Sequence, residues 1–215
     1  MCPVCGVATL PTGLAQYYNR EGTFNTPMHH CSTCDVYVRD VTRSQIVDHL
    51  QAASYVNLKN EEAFQQQRER FFAYLLSLVK ANLLSDVQPH PVLADFGCSY
   101  GHLLCAARDQ GYTAIGVEIN EELVQYCHDR GLDVVMSLED LSTPVDVFMF
   151  IDSLYYLSNP KEILSLVKSK LRRDGLLVLR VTNFNPYAKL QTLLQKHSDF
   201  IILGDSTVSY SPRGI

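Results

Sequence analysis

Two constellations in the sequence are able to do chemistry. The first is a set of four cysteines, Cys2-Pro-Val-Cys5 and Cys31-Ser-Thr-Cys34, two C-x2-C pairs with 25 residues between them. A C-x2-C knuckle puts two sulfurs on one side of a tight turn, the bite that a tetrahedral Zn²⁺ takes. A redox C-x-x-C would need only one knuckle, placed before a helix in a βαβ unit. Four thiolates leave no open coordination position. The ion is therefore expected to be structural, holding together a ribbon too small to fold alone. His29 and His30 stand beside Cys31 and are read as hairpin surface in preference to alternative ligands.

The second constellation is Asp95-Phe-Gly97-Cys98-Ser-Tyr-Gly101, with Glu118 following 17 residues after Gly101. Glycines at Gly97 and Gly101 let backbone approach a ligand with no Cβ in the way. A helix that begins there points free N–H groups at the same spot. Glu118 falls at the end of an apolar run, where a carboxylate can accept both hydroxyls of a ribose. A nicotinamide enzyme would carry G-x-G-x-x-G at this turn. The spacing here is D-x-G-x-x-x-G, which spells out no pyrophosphate cradle, and the acid at Asp95 suits a ligand with an ammonium group.

These residues need a scaffold, and the hydrophobic pattern supplies one. Residues 92–96 are a short apolar run bounded by Pro91 and Gly97, as a buried parallel strand is. Residues 102–110 have helical spacing, stopped by Gly111, and residues 113–119 are a second apolar strand. Further units follow: a helix over 121–130, strands at 132–136 and 145–151, a helix over 160–171, a turn at Asp174-Gly175, a strand over 176–181 and a helix over 186–196. The fold class is α/β, a Rossmann-like, doubly wound, mainly parallel sheet, preceded by a small zinc ribbon. Residues 43–84 read as helical, with the stronger stripe through Phe71, Phe72, Leu75, Leu76 and Val79. The expected division is a ribbon over 1–42, a helical cap and linker over 43–88, and the sheet domain over 89–215. Tyr17, Tyr18, Phe24 and Tyr37 are expected to pack beside the ribbon.

The run Asp95-Phe-Gly-Cys-Ser-Tyr-Gly101, followed by Gly116-Val-Glu-Ile-Asn120, resembles the class I S-adenosylmethionine-dependent methyltransferases. The resemblance covers roughly residues 45–215, and some sugar and natural-product methyltransferases also carry an N-terminal zinc ribbon. It implies that Asp95, Gly97, Cys98 and Gly101 hold the methionine part of S-adenosylmethionine. Glu118 and Ile119 would meet the ribose, and Leu138 and Glu139 would stand at the adenine. Asp152, at the carboxyl end of the fourth strand, would also bind the cofactor. Family members of the small-molecule type often carry Glu and His after that strand, where this chain has Tyr155 and Tyr156, so a His base is not assumed there. If the acceptor is a hydroxyl, something must take its proton. Asp152, Tyr156 and His102 form the expected catalytic set, with Tyr155 and His197 as further candidates; His102 could instead only line the cofactor pocket. Cys98 is given no nucleophilic role. The family sheet has seven strands and five can be placed here, so the last helix and two strands look absent. An uncapped fifth strand is an exposed edge: another copy of the chain or a completing partner chain covers it, residues 200–203 do, or the protein is a shortened one.

Composition bounds the partners. The chain has 215 residues, 47% apolar and 19% charged, which supports a real core. No stretch approaches the ~20 apolar residues that span a bilayer, and Met1 is followed by Cys-Pro, not by a signal-peptide pattern. Seven cysteines without such a signal fit a reducing compartment, so the expected location is cytoplasmic. The formal net charge is −5, and four zinc-bound thiolates would make it −7, which weighs against an rRNA base as acceptor. The expected reaction is methyl transfer to oxygen or carbon of a small molecule, a sugar or secondary metabolite. The competing readings are an rRNA base methyltransferase and a non-catalytic partner protein.

Overall fold

The structure is a computed structural model of the chain, and it describes residues 1–19, 22–52, 56, 58–83, 89–183, 185–186, 189–190 and 206–215. Side chains at 15–24 and 58–64 are not described, so the expected packing of Tyr17, Tyr18 and Phe24 lies outside the described residues, as do His197 and residues 200–203. The chain divides into two compact units. One consists of Met1–His49, Asp152–Ile163 and Arg180–Ile215, and the other of Leu50–Ile151 and Leu164–Leu179.

The first unit is built on an antiparallel sheet. Strands β1 (Leu10–Asn19) and β2 (Gly22–Cys31) form a hairpin, β3 (Val36–Arg39) pairs with β2, and β9 (Val208–Ser209) pairs with β3. The order is β1-β2-β3-β9. The second knuckle is thus the turn between β2 and β3, with Cys31 at the end of one strand and Cys34 before the next. Helix α1 (Arg43–Leu50) follows β3 and buries Ile46. Tyr37 is buried, as expected, and its ring lies 4.5 Å from that of His30.

The second unit holds a five-stranded sheet in the order β6-β5-β4-β7-β8. Its strands are β4 (Val92–Phe96), β5 (Thr113–Val117), β6 (Asp133–Val135), β7 (Val145–Ile151) and β8 (Leu171–Arg180). The pairs β4–β5, β4–β7 and β5–β6 are parallel. Helices α2 (Leu58–Asn82), α3 (His102–Asp109), α4 (Glu121–His128) and α5 (Pro160–Lys170) accompany it. The central strands are apolar on both faces: Leu93, Ala94, Val147, Phe148, Met149 and Phe150 are all fully buried. Two clusters enclose the sheet. Phe72, Leu76 and Val79 of α2 pack with Leu103, Ala107, Val147 and Met149, so the apolar stripe read from the sequence is a core stripe. Leu104, Val124, Cys127, Leu132 and Val134 form the second cluster, with Cys98 among them. This is the α/β architecture that the sequence pattern implies.

The boundary of the fifth strand differs most. The strand expected to start after a turn at Asp174-Gly175 instead runs from Leu171, directly after α5. Arg172 is drawn to the sheet by the buried carboxylate of Asp146, with its Nε 3.2 Å from Oδ1. The other oxygen of Asp146 accepts the N–H of Val92 at 2.8 Å, tying the start of β4 to β7.

Candidate functional site

The glycine turn grows directly out of the strand register. Asp95 is opposite Gly116 and Phe96 opposite Val117, so the chain leaves β4 level with the end of β5. The N–H groups of Gly97 and Cys98 both donate to Val117 O, at 2.8 and 3.3 Å, folding the turn over the neighbouring strand. Gly97 (φ 74°) and Gly101 (φ 73°) are both left-handed, the conformation that costs glycine least. Ser99 lies between them at φ 50°, a strained position for a residue with a Cβ, and such positions persist where the surroundings fix them.

Glu118 is what fixes it. The carboxylate is 6% exposed; Oε2 accepts the N–H of Ser99 and Oε1 the N–H of Asn120, each at 2.9 Å. Asn120 in turn caps α4, its Oδ1 accepting the N–H of Leu123 at 3.1 Å, while its Nδ2 donates to Leu50 O at 2.7 Å. The acid at the end of β5 is therefore locked to both the glycine turn and the next helix. The capping role of Asn120 is carried by an Asn standing before Glu121-Glu122 at a helix start.

Two buried carboxyls dominate the electrostatics of the turn. Asp95 is 4% exposed, and burial pushes its carboxyl up to about 7, with the neighbouring Glu118 adding to the rise. Burial also raises Glu118, against hydrogen bonds from Asn120, Ser99 and Ile119 that favour its ionised form. Two carboxyls close together in a dry place resist ionising together; a bound ammonium group would relieve both. The Cys98 thiol is pushed up by its hydrogen bond to Cys127 and by burial, which agrees with its having no nucleophilic role.

The remaining sequence-derived residues fall as follows. Leu138 is buried and Glu139 exposed. Their segment is held by Lys170 at the end of α5, whose Nζ donates to Glu139 O at 3.3 Å and Leu141 O at 2.6 Å. His102 is the first residue of α3, half-buried, with its ring 6.3 Å from that of Tyr100. Asp152, Tyr155 and Tyr156 belong to the other unit. Asp152 has φ 58° and forms an ion pair with Arg180 through Oδ2. Its Oδ1 and the hydroxyl of Ser153 are buried without a hydrogen-bond partner among the described residues. Tyr155 and Tyr156 face each other at 4.8 Å. Neither Ser153 nor Arg180 was singled out from the sequence, because a lone Ser or a strand-end Arg carries no pattern.

The four cysteines do converge: Cys2, Cys5, Cys31 and Cys34 offer sulfurs that all lie within 4.8 Å of one another, with Cys5 and Cys31 at 3.6 Å. Four thiolates about 2.3 Å from one Zn²⁺ stand roughly 3.8 Å apart, so the donor set fits that ion. Their protons also call for one. A hydrogen bond from Val7 lowers the Cys5 thiol to about 7, whereas its hydrogen bond to Cys5 pushes Cys34 up to about 12. Only a cation lets all four ionise together. His30 is not among the convergent ligands; its Nε2 lies 3.0 Å from Asp35 Oδ1.

A parallel sheet ending in a glycine turn, with an acid at the end of the adjacent strand, is the arrangement of the Rossmann-like α/β folds. The sequence model of the family described as "Methyltransferase domain" matches residues 64–202, more than half of the chain, and the protein belongs to that family. No curated protein sequence matches the chain. Solved structures similar to it include a SAM-dependent methyltransferase from Archaeoglobus fulgidus, at 28% identity over 59% of this chain and 58% of that one, TM-score 0.47. DesVI of Streptomyces venezuelae matches at 17% identity over 60% and 59%, TM-score 0.50. CalS10, a SAM-bound amino pentose methyltransferase from Micromonospora echinaspora, matches at 16% over 60% and 57%, TM-score 0.49. The chain thus spans less than two thirds of the length of these proteins. No helix among the described residues is long and apolar enough to cross a membrane.

Proposed function

We propose that the chain is a SAM-dependent methyltransferase acting on oxygen or carbon of a small-molecule acceptor, a sugar or secondary metabolite, and that its cysteine cluster holds one structural Zn²⁺. When bound, S-adenosylmethionine supplies the methyl group on a sulfonium. Asp95 takes the cofactor's ammonium, the exposed backbone at Gly97 lies against it, and Glu118 receives the ribose hydroxyls, with Ile119, Leu138 and Glu139 bordering the nucleoside. On the acceptor side, Arg180 holds Oδ2 of Asp152 and leaves Oδ1 to take a proton from an attacking hydroxyl. Ser153 is placed to donate to or accept from the same acceptor. Tyr156 forms a wall, and His102 borders the cofactor. The observation that carries this reading is the pair of buried polar atoms without partners among the described residues, Asp152 Oδ1 and Ser153 Oγ. Such atoms cost free energy unless a ligand satisfies them, and a hydroxylated acceptor would. The net charge of −5 supports a small acceptor over RNA.

The test is methyl transfer from isotope-labelled S-adenosylmethionine to a panel of sugar nucleotides and hydroxylated metabolites, with total RNA as the competitor class. Label on a small molecule, lost in Asp152→Asn, is the expected result. Label on RNA alone would reject the small-molecule reading.

A further inference from the structure

The metal ribbon and the acceptor-side segment lie in the same compact unit, although more than 100 residues separate them in sequence. We infer that Thr207 couples them: the cysteine cluster, by ordering β3, holds the segment Asp152–Leu157 in place through Thr207 and β9. The inference rests on the reading just given, in which the cluster binds zinc and the segment after β7 meets the acceptor.

The connection is continuous at the level of single hydrogen bonds. Cys31 closes β2 opposite Val36, so the second knuckle sets the register of β3. Tyr37 and Val38 of β3 pair with Ser209 and Val208 of β9. The next residue of β3, Arg39, donates its N–H to Thr207 O at 2.8 Å. Thr207 then turns its other polar groups to the acceptor side: its N–H and its hydroxyl both donate to Tyr155 O, at 2.9 and 2.7 Å. Thr207 is 3% exposed, so these bonds form away from water. The chain that follows returns to the knuckle. Ser211 Oγ donates to Cys34 O at 3.0 Å, and a Cβ at Gly214 would come within 2.3 Å of Val36 Cγ1.

The acceptor segment itself is one turn. Leu154–Tyr156 is a single 3-10 turn, closed by Tyr156 N–H to Ser153 O and Leu157 N–H to Leu154 O, both at 3.2 Å. A turn of that kind is marginal alone, and its neighbour Asp152 has left-handed backbone at φ 58°. Its entry is held by Asp152 N–H to Arg180 O at 3.0 Å, and its middle by Thr207. A small ribbon without its metal does not hold its strands, so loss of the ion would free β3, then β9, then Tyr155. Thr207 is in this sense a positioning residue, acting on Asp152 and Ser153 through the turn.

Amide hydrogen exchange of the full zinc-loaded chain, read by NMR at Tyr156 and Leu157, tests this. Thr207→Val removes one of the two bonds to Tyr155 O and should speed exchange at both amides about fivefold, the worth of one hydrogen bond. Thr207→Ser restores the hydroxyl and should restore the protection. Both variants should keep their zinc and leave the amides of α4, in the other unit, unchanged. Stripping zinc with a chelator should expose Tyr156 and Leu157 as well as β3, again without α4. Unchanged exchange at Tyr156 and Leu157 in Thr207→Val, or in the stripped protein once β3 has opened, would overturn the coupling. A preparation without zinc would count against the metal reading instead, and the Thr207→Val comparison would still decide the coupling.

Discussion

With Asp95 as the proposed partner of the cofactor's ammonium group, its buried carboxyl should make cofactor binding depend on pH. Its ordinary value of 3.8 is raised to about 7 by burial, with Glu118 contributing. In the free protein Asp95 is therefore mostly protonated at pH 6, while pairing with an ammonium group requires it ionised. At pH 6, one pH unit below about 7, about nine in ten molecules carry the proton, against about one in ten at pH 8. The apparent affinity should then be about tenfold lower at pH 6 than at pH 8. Stability moves the opposite way. Because the folded value is raised, the folded chain binds the proton more tightly than the unfolded chain. The carboxyl costs nothing below its ordinary value, and the cost grows as pH rises from about 4 to about 7. The difference between 3.8 and about 7 corresponds to about 4 kcal/mol at about 1.4 kcal/mol per pH unit. Titration calorimetry with S-adenosylhomocysteine at pH 6, 7 and 8, beside urea unfolding from pH 4 to 8, reads both. Asp95→Asn should bind weakly and with no slope over this range. It should be more stable than the wild type at pH 8 by about 2–4 kcal/mol, with the gap closing towards pH 4. A wild-type affinity that is flat between pH 6 and 8, or an equal slope in Asp95→Asn, would refute the reasoning.

Other perturbations have equally definite outcomes. A Cβ at Gly116 would meet Cys98 Sγ at 2.4 Å and Leu104 Cδ1 at 2.9 Å, so Gly116→Ala should displace the glycine turn and weaken S-adenosylhomocysteine binding at least tenfold, with the loss visible by calorimetry. Asp146→Ala leaves the N–H of Val92 and the guanidinium of Arg172 without their carboxylate and should lower stability in urea by about 2 kcal/mol. Asn120→Ala removes the cap of α4 and should cost about 1 kcal/mol in the same assay. Cys31→Ser should reduce zinc, measured by elemental analysis, from one ion per chain to a small fraction, because the remaining three thiols no longer close the tetrahedron.

The sequence made the scaffold and the cysteine cluster readable for physical reasons. A short apolar run such as Val147–Ile151, of strand length and rich in β-branched and aromatic residues, reads as a buried strand, and a C-x2-C spacing fixes a bite that few other functions use. The glycine turn was legible because Gly97 and Gly101 take the left-handed conformation. What stayed hidden was set by tertiary pairing. Val208–Ser209 is two residues of strand, too short for any periodic pattern, and is a strand only because β3 is there to pair with it. Ser99 and Asp152 are left-handed without being glycine, so no residue type announces them. The extension of β8 back through Asp174-Gly175 runs against the strongest turn signal in that segment, and the ion pair between Arg172 and Asp146 accompanies it.

The central claim is that the turn over Asp95–Gly101 and the acid at Glu118 form a working site for the cofactor. The most direct measurement is calorimetric binding of S-adenosylmethionine to the purified, zinc-loaded chain, with Glu118→Ala as control. The account predicts one site of micromolar affinity. It also predicts a loss of at least a hundredfold in the variant, because the substitution removes the ribose acceptor and strands the N–H groups of Ser99 and Asn120. Folded, zinc-loaded protein that binds no S-adenosylmethionine, or binds it equally well without the Glu118 carboxylate, would contradict the account.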